Sequence, residues 1–117
     1  MLSILSLKHR PHSDAEAVEA VRAALQNLAL GGKRVLKVVH GYGSTGAGGS
    51  NREAVRTWLA GEMAAGRVRR VIPGERLTRG DVTDWKRRYA GHAAVFEGLL
   101  TDAGNAGVTV VELSQSR

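Results

Sequence analysis

A chain of 117 residues has room for one hydrophobic core and not two. Its 43% apolar and 24% charged residues form a globular balance that excludes wholesale disorder. Seventeen Lys and Arg against eleven Asp and Glu leave a net charge of +6, and the absence of cysteine excludes disulfides and thiolate metal sites.

Those features fit a cytoplasmic protein. No apolar run approaches the roughly 20 residues that a membrane span needs, and no membrane partner is expected. The opening Met1–Leu7 lacks leading positive charge and is too short for a signal peptide. The charge is unevenly placed. From Arg67 to Arg88 stand eight basic residues against Glu75, Asp81 and Asp84, which is +5 of the total +6. A concentrated basic stretch points to nucleic acid, whose duplex carries one charge per roughly 1.7 Å. A solvated surface is the alternative.

Leu2 to Leu7 alternates apolar residues with serine and reads as a first strand. Lys8-His9-Arg10-Pro11-His12 follows as a basic turn, with Pro11 blocking continuation. Ser13-Asp14-Ala15-Glu16 has the capping-box spacing, and Val18, Val21, Leu25 and Leu28 recur along one helical face until Gly31-Gly32.

Arg34 to Val39 is β-branched and apolar, a buried strand ending at His40. Residues 41–49 then hold five of the chain's 15 glycines. Strand, glycine loop and helix together form an arrangement whose backbone N–H groups can surround a phosphate. Ser50-Asn51-Arg52-Glu53 repeats the capping-box spacing. A second helix then carries Val55, Trp58, Leu59 and Met63 on one face and closes at Gly66. Arg52 and Arg56 sit one turn apart near its start, where cations oppose the helix dipole and a bound anion would account for them. The loop also has GxGxxG spacing at 41–46, but a dinucleotide fold opens its helix inside that motif. Gly49 stands where a P-loop needs lysine.

Arg67 to Ile72 is a short third strand stopped by Pro73-Gly74. Asp81-Val82-Thr83-Asp84 offers a further cap, and Trp85, Tyr89, Phe96 and Leu100 follow at helical intervals, with a break expected near Gly91. Their spacing favours core packing over base stacking. Lys86, Arg87 and Arg88, beside them, are the better phosphate candidates. After the turn at 104–107, Val108 to Leu113 is the last strand. The elements read β-α-β-α-β-α-β, an α/β sandwich of two layers.

In this order, three places resemble the Smr (small MutS-related) domain family. His40-Gly41-Tyr42-Gly43 is similar to its HGxG motif, the helix from Asn51 to Leu59 to its LREAVxxWL segment, and Gly107 to Leu113 to its last strand, G-[AV]-T-x-V-x-L. The resemblance implies one Smr-like domain over 1–117, with a fold like the C-terminal domain of translation initiation factor three and a helical insertion at about 73–106. It implies a DNA- or RNA-binding function, and His40, Gly41 and Gly43 at the nucleic-acid face. Lys8, His9, Arg10, Gly46, Arg52, Arg56, Lys86, Arg87 and Arg88 extend that candidate surface.

The family's first-strand motif, LDLHG, falls near Leu5 to His9, where no acid stands. Loss of that carboxylate removes a metal ligand or general base. No cofactor is therefore evident. Mg or Mn enters only under an alternative, a structure-selective endonuclease with His40 as acid/base and Glu53 or Asp14 as the replacement acid. A third reading is a protein-interaction module that uses the inserted helix.

Overall fold

The computed structural model describes residues 1–9, 12–40 and 47–114, with 47–50 described by backbone alone. Arg10, Gly41, Gly43 and Gly46 lie outside the described residues, as does the loop expected to cradle a phosphate.

Strand β1 (Leu2–Ser6) leads through α1 (Asp14–Leu30) to β2 (Val35–Val39), which pairs parallel with β1. Helix α2 (Ala47–Ala64) leads to β3 (Val68–Pro73), and β4 (Val108–Leu113) enters antiparallel between β2 and β3. The sheet order is β1-β2-β4-β3. Because β3 is antiparallel to the same strand as β2, strands β1, β2 and β3 all end at one edge, where β4 begins.

Local chemistry sets these elements. Ser13 caps α1 with the expected reciprocal box to Glu16. Gly32, at φ 72°, turns the chain away from the helix as the Lys33 N–H bonds back to the Leu28 carbonyl. Helix α2 starts at Ala47, so Ser50 lies inside it and is not its cap. The next cap is also displaced. Thr78, not Asp81, opens α3 (Arg79–Arg88), and Asp81 completes its box. The periodic stretch from Trp85 to Leu100 is not one helix. It breaks at Gly91 (φ 96°) into α3, the short α4 (Ala93–Glu97) and a 3₁₀ turn (Gly98–Asp102).

Strand alternation sends side chains to two cores. On one face Leu36, Val38 and Val111 pack with Val21, Leu25, Leu28, Val55 and Leu59 of α1 and α2. On the other, Val35, Val108 and Val110 meet Val82, Trp85, Tyr89 and Phe96. The expected sheet-and-helix sandwich is present, and the segment before the last strand adds cover to the sheet's second face. Two charged sheet residues point that way. Lys37 pairs with Asp102 at 2.8 Å. Glu112, fully buried, accepts from Trp85 Nε1 at 3.0 Å and from the Tyr89 hydroxyl. Burial, reinforced by Glu112, pushes the Tyr89 phenol up to about 12, so it remains a donor. Trp85, Tyr89 and Phe96 are therefore core residues rather than a base-stacking platform, and the apolar side of α3 is occupied by the sheet.

Gly74 fixes the turn after β3. A Cβ there would stand 2.1 Å from the Asn105 carbonyl oxygen and 2.9 Å from that of Val108. Both obstacles are backbone. Gly74→Ala is expected to lower unfolding stability by about 3 kcal/mol in chemical denaturation, whereas Gly61→Ala, whose Cβ meets nothing within 4 Å, should not destabilise.

Candidate functional site

The edge where β1, β2 and β3 end collects most of the candidate residues that are described. Parallel strands of an open α/β sheet commonly leave a ligand crevice beyond their carboxyl ends. The Leu7 N–H bonds to the Val39 carbonyl at 2.8 Å, which places Lys8 and His9, both exposed, beside the end of β2. His40 follows β2 directly, and its N–H bonds to the Gly107 carbonyl at 2.8 Å. Arg52 and Arg56 reach the same edge from α2, and Glu75 reaches it from the turn after β3.

One hydroxyl joins three of these elements. Thr109 Oγ1 on β4, itself fully buried, lies 2.9 Å from His40 Nε2 and accepts from Arg56 Nε at 2.8 Å. The Thr109 hydroxyl can accept from both side chains or give its own proton to Nε2; in the second case the neutral ring carries its proton on Nδ1. Arg56 is held further by the Ala106 and Val108 carbonyls, at 3.3 and 3.0 Å, and by a bidentate pair with Glu75, at 2.9 and 3.0 Å. Those hydrogen bonds hold the Glu75 carboxyl below its ordinary value. Arg52 Nη1 donates to the Ala106 carbonyl at 3.2 Å, so both guanidinium groups meet on one oxygen.

His40 is buried, and that burial, aided by the charges of Arg56 and Arg52, lowers its pKa to about 4. The ring is neutral at physiological pH. Two nitrogen atoms at this edge, His40 Nδ1 and Arg52 Nε, are buried without a hydrogen-bond partner. Among the described residues no three His, Asp or Glu side chains gather as a metal-ligating set.

The basic 67–88 stretch is placed differently from the expectation of one continuous surface. Arg70 pairs with Asp81 and Asp84, Arg67 with Glu62, Lys86 with Glu97, and Arg88 with Asp84. Arg87 is exposed and has no ion pair among the described residues. Arg88 also lies 3.7 Å from Glu112, which pairs in the sheet with Val35 at the start of β2. The 86–88 cluster is thus at the opposite end of the sheet from His40, about 16 Å away along the strand. One phosphate cannot contact both ends.

A family model of the Smr domain matches residues 9–80, more than half of the chain. The chain belongs to the Smr domain family. Among solved structures, the Smr domain of Thermus thermophilus MutS2 shares its fold, with a TM-score of 0.56 at 24% identity, covering 97% of this chain and 98% of that one. No curated protein matches. In this Smr domain the HGxG segment and the α2 arginines fall inside the family match, while β4 with Thr109 lies beyond it and inside the structural overlap. Glu53 is exposed and leans on Arg52, and Asp14 lies in the first turn of α1. Glu75, not either of those, is the acid linked to His40, through Arg56 and Thr109. Sequence reasoning missed both Glu75 and Thr109. The signals available were the position of Glu75 just after the Pro73-Gly74 stop and a hydroxyl within an otherwise apolar last strand.

The buried neutral His40 makes stability depend on pH. Its folded pKa lies below the ordinary 6.5, so the unfolded chain binds the extra proton first. Its contribution is complete above pH 6.5 and is lost as pH falls toward 4, on the order of 3 kcal/mol in all. An NMR titration of the ring should give a midpoint near 4. His40→Gln should flatten the unfolding-stability profile between pH 6.5 and 4.

Proposed function

We propose that this Smr domain binds DNA or RNA by its phosphate backbone, at the sheet edge that carries Lys8, His9, His40, Arg52 and Arg56. The observation that carries the reading is the pair of buried, unpartnered nitrogens, His40 Nδ1 and Arg52 Nε. A buried polar group left unpaired costs about 1–3 kcal/mol. Arg52 Nε is a donor in any state, and His40 Nδ1 is one in the tautomer with Thr109 donating to Nε2. Beside exposed basic residues they suit an acceptor, and a phosphate oxygen has the right charge and lone pairs. Family membership supports the same reading. Residues 41–46, chain neighbours of His40, would add backbone N–H groups, and Arg10 a further charge.

A neutral His40 serves this role as a hydrogen-bond donor in its Nδ1–H tautomer, with the arginines supplying the charge. For nicking chemistry it is poorly matched: a base with pKa about 4 is weak at neutral pH, and both Glu75 oxygens are held by Arg56. The reading is therefore of binding without a dedicated cleavage site. At the far end of the sheet, Arg87 is the basic residue most open to a second contact by a longer ligand.

Gel-shift assays with labelled branched DNA, duplex and single-stranded RNA, at two salt concentrations and with and without Mg²⁺ or Mn²⁺, test this. Salt-sensitive shifts with intact substrate are expected. Lys8→Ala should weaken binding across sequences and, on duplex DNA, reduce the salt slope by about 0.9, the value for one lost phosphate contact. Absence of any shift would overturn the reading. Metal-dependent cleavage lost in His40→Ala would replace it with an endonuclease.

A further inference from the structure

The Arg56–Glu75 pair is the most exposed link in an otherwise buried network. The Thr109 hydroxyl and two backbone carbonyls fix Arg56 independently of Glu75. Its side chain is 15% exposed, against 40% for Glu75. Glu75 reaches in from the turn anchored by Gly74, and its side-chain partner is Arg56, with its own backbone N–H adding to the hold on the carboxylate. Arg52 approaches the same Ala106 oxygen, and its Nε makes no hydrogen bond, lying 3.9 Å from the exposed Glu53 carboxylate. Two guanidinium groups thus converge beside the Glu75 carboxylate, with Glu53 further out on Arg52.

We infer that the Glu75 carboxylate stands in for a phosphate: it fills a two-arginine site formed by Arg52 and Arg56, and an incoming phosphodiester group displaces it. The fork of a guanidinium takes two oxygens of a carboxylate or two non-bridging oxygens of a phosphate in the same planar, bidentate way. Exchange is feasible because the guanidinium stays where Thr109 and the carbonyls hold it, while the partner that leaves is half exposed and such pairs are weak. A phosphate in that place gains what Glu75 does not use, the Nε–H of Arg52, which makes no hydrogen bond and has only the exposed Glu53 carboxylate at 3.9 Å. The carboxylate thereby sets a threshold. Weak single anions compete poorly with it, and a polyanion anchored elsewhere along the edge competes well. The inference rests on the nucleic-acid reading for the identity of the ligand, but not for the existence of the site.

Inorganic phosphate titrated into ¹⁵N-labelled protein, followed at the Arg56 Nε–H and the His40 ring nitrogens, separates the two. Glu75→Gln keeps the side chain's shape and removes its charge. It should tighten phosphate binding about fivefold, the scale of a half-exposed ion pair. Glu19→Gln, which frees Arg22 on α1 and changes net charge equally, should leave it unchanged. Arg56→Lys in the Glu75→Gln background should remove the gain. Equal phosphate affinity in Glu75→Gln and the parent chain overturns the inference, as does an equal gain in Glu19→Gln. Thermal unfolding of each variant confirms that the fold is retained. The same proteins are then tested on labelled duplex and RNA. A phosphate gain without oligonucleotide binding by any variant supports the two-arginine site and overturns the nucleic-acid reading. Oligonucleotide binding with no phosphate gain does the reverse.

Discussion

Everything on either side of this sheet depends on the complete burial of β4. It is the last strand to enter, it sits between two antiparallel partners, and its first five residues are buried. An apolar strand would suffice for that place. This one carries two polar residues, on opposite faces and near opposite ends, and each must be satisfied from the layer it faces. Thr109 faces α2 and organises His40 and Arg56. Glu112 faces α3 and takes donors from Trp85 and Tyr89. One strand therefore fixes both the candidate site and the segment at 74–102.

The second constraint explains why residues 74–102 behave as an integral part of the domain. Without them, Lys37 and Glu112 would face solvent among exposed valines, and the second core would have no cover. With them, each charge is paired or hydrogen bonded inside. The same packing accounts for the modest electrostatic reach of the basic stretch. Arg67, Arg69, Arg70 and Arg88 are used close to home, on Glu62, Asp81, Asp84 and Glu112. A count of charges along the chain is a sound guide to net charge and a poor one to where a free positive surface lies, because pairing is decided by tertiary contacts.

That distinction separates what was legible in the sequence from what was not. The strands, the α1 cap and the break at Gly91 follow from patterns within a few residues of one another, and local spacing was enough to place them. Where two local signals competed, choice failed: Thr78-Arg79-Gly80-Asp81 and Asp81-Val82-Thr83-Asp84 both offer caps, and the earlier one wins because it puts Val82 and Trp85 against the sheet. Ser50 misled for a similar reason, since α2 begins a turn before it. The candidate site was half legible. His40, Arg52 and Arg56 could be picked out from their strand-loop-helix setting. Glu75 and Thr109 are separated from His40 by 35 and 69 positions, and only the sheet order brings them to it.

The chemistry of the edge follows from the same geometry. Two arginines and a buried imidazole in one place are mutually unfavourable unless one of them gives up its charge, and the imidazole does so most cheaply. Glu75 pairs the permanent charge of Arg56, and His40 stays neutral because its burial, aided by the charges of Arg56 and Arg52, outweighs the opposing pull of Glu75. The edge is thus electrostatically balanced by a carboxylate that the chain itself supplies. A bound phosphate would change that balance in two ways at once, by taking over Arg56 and by placing negative charge near His40. Proton affinity at His40 and anion affinity at the two arginines are consequently linked, and each must rise with the other.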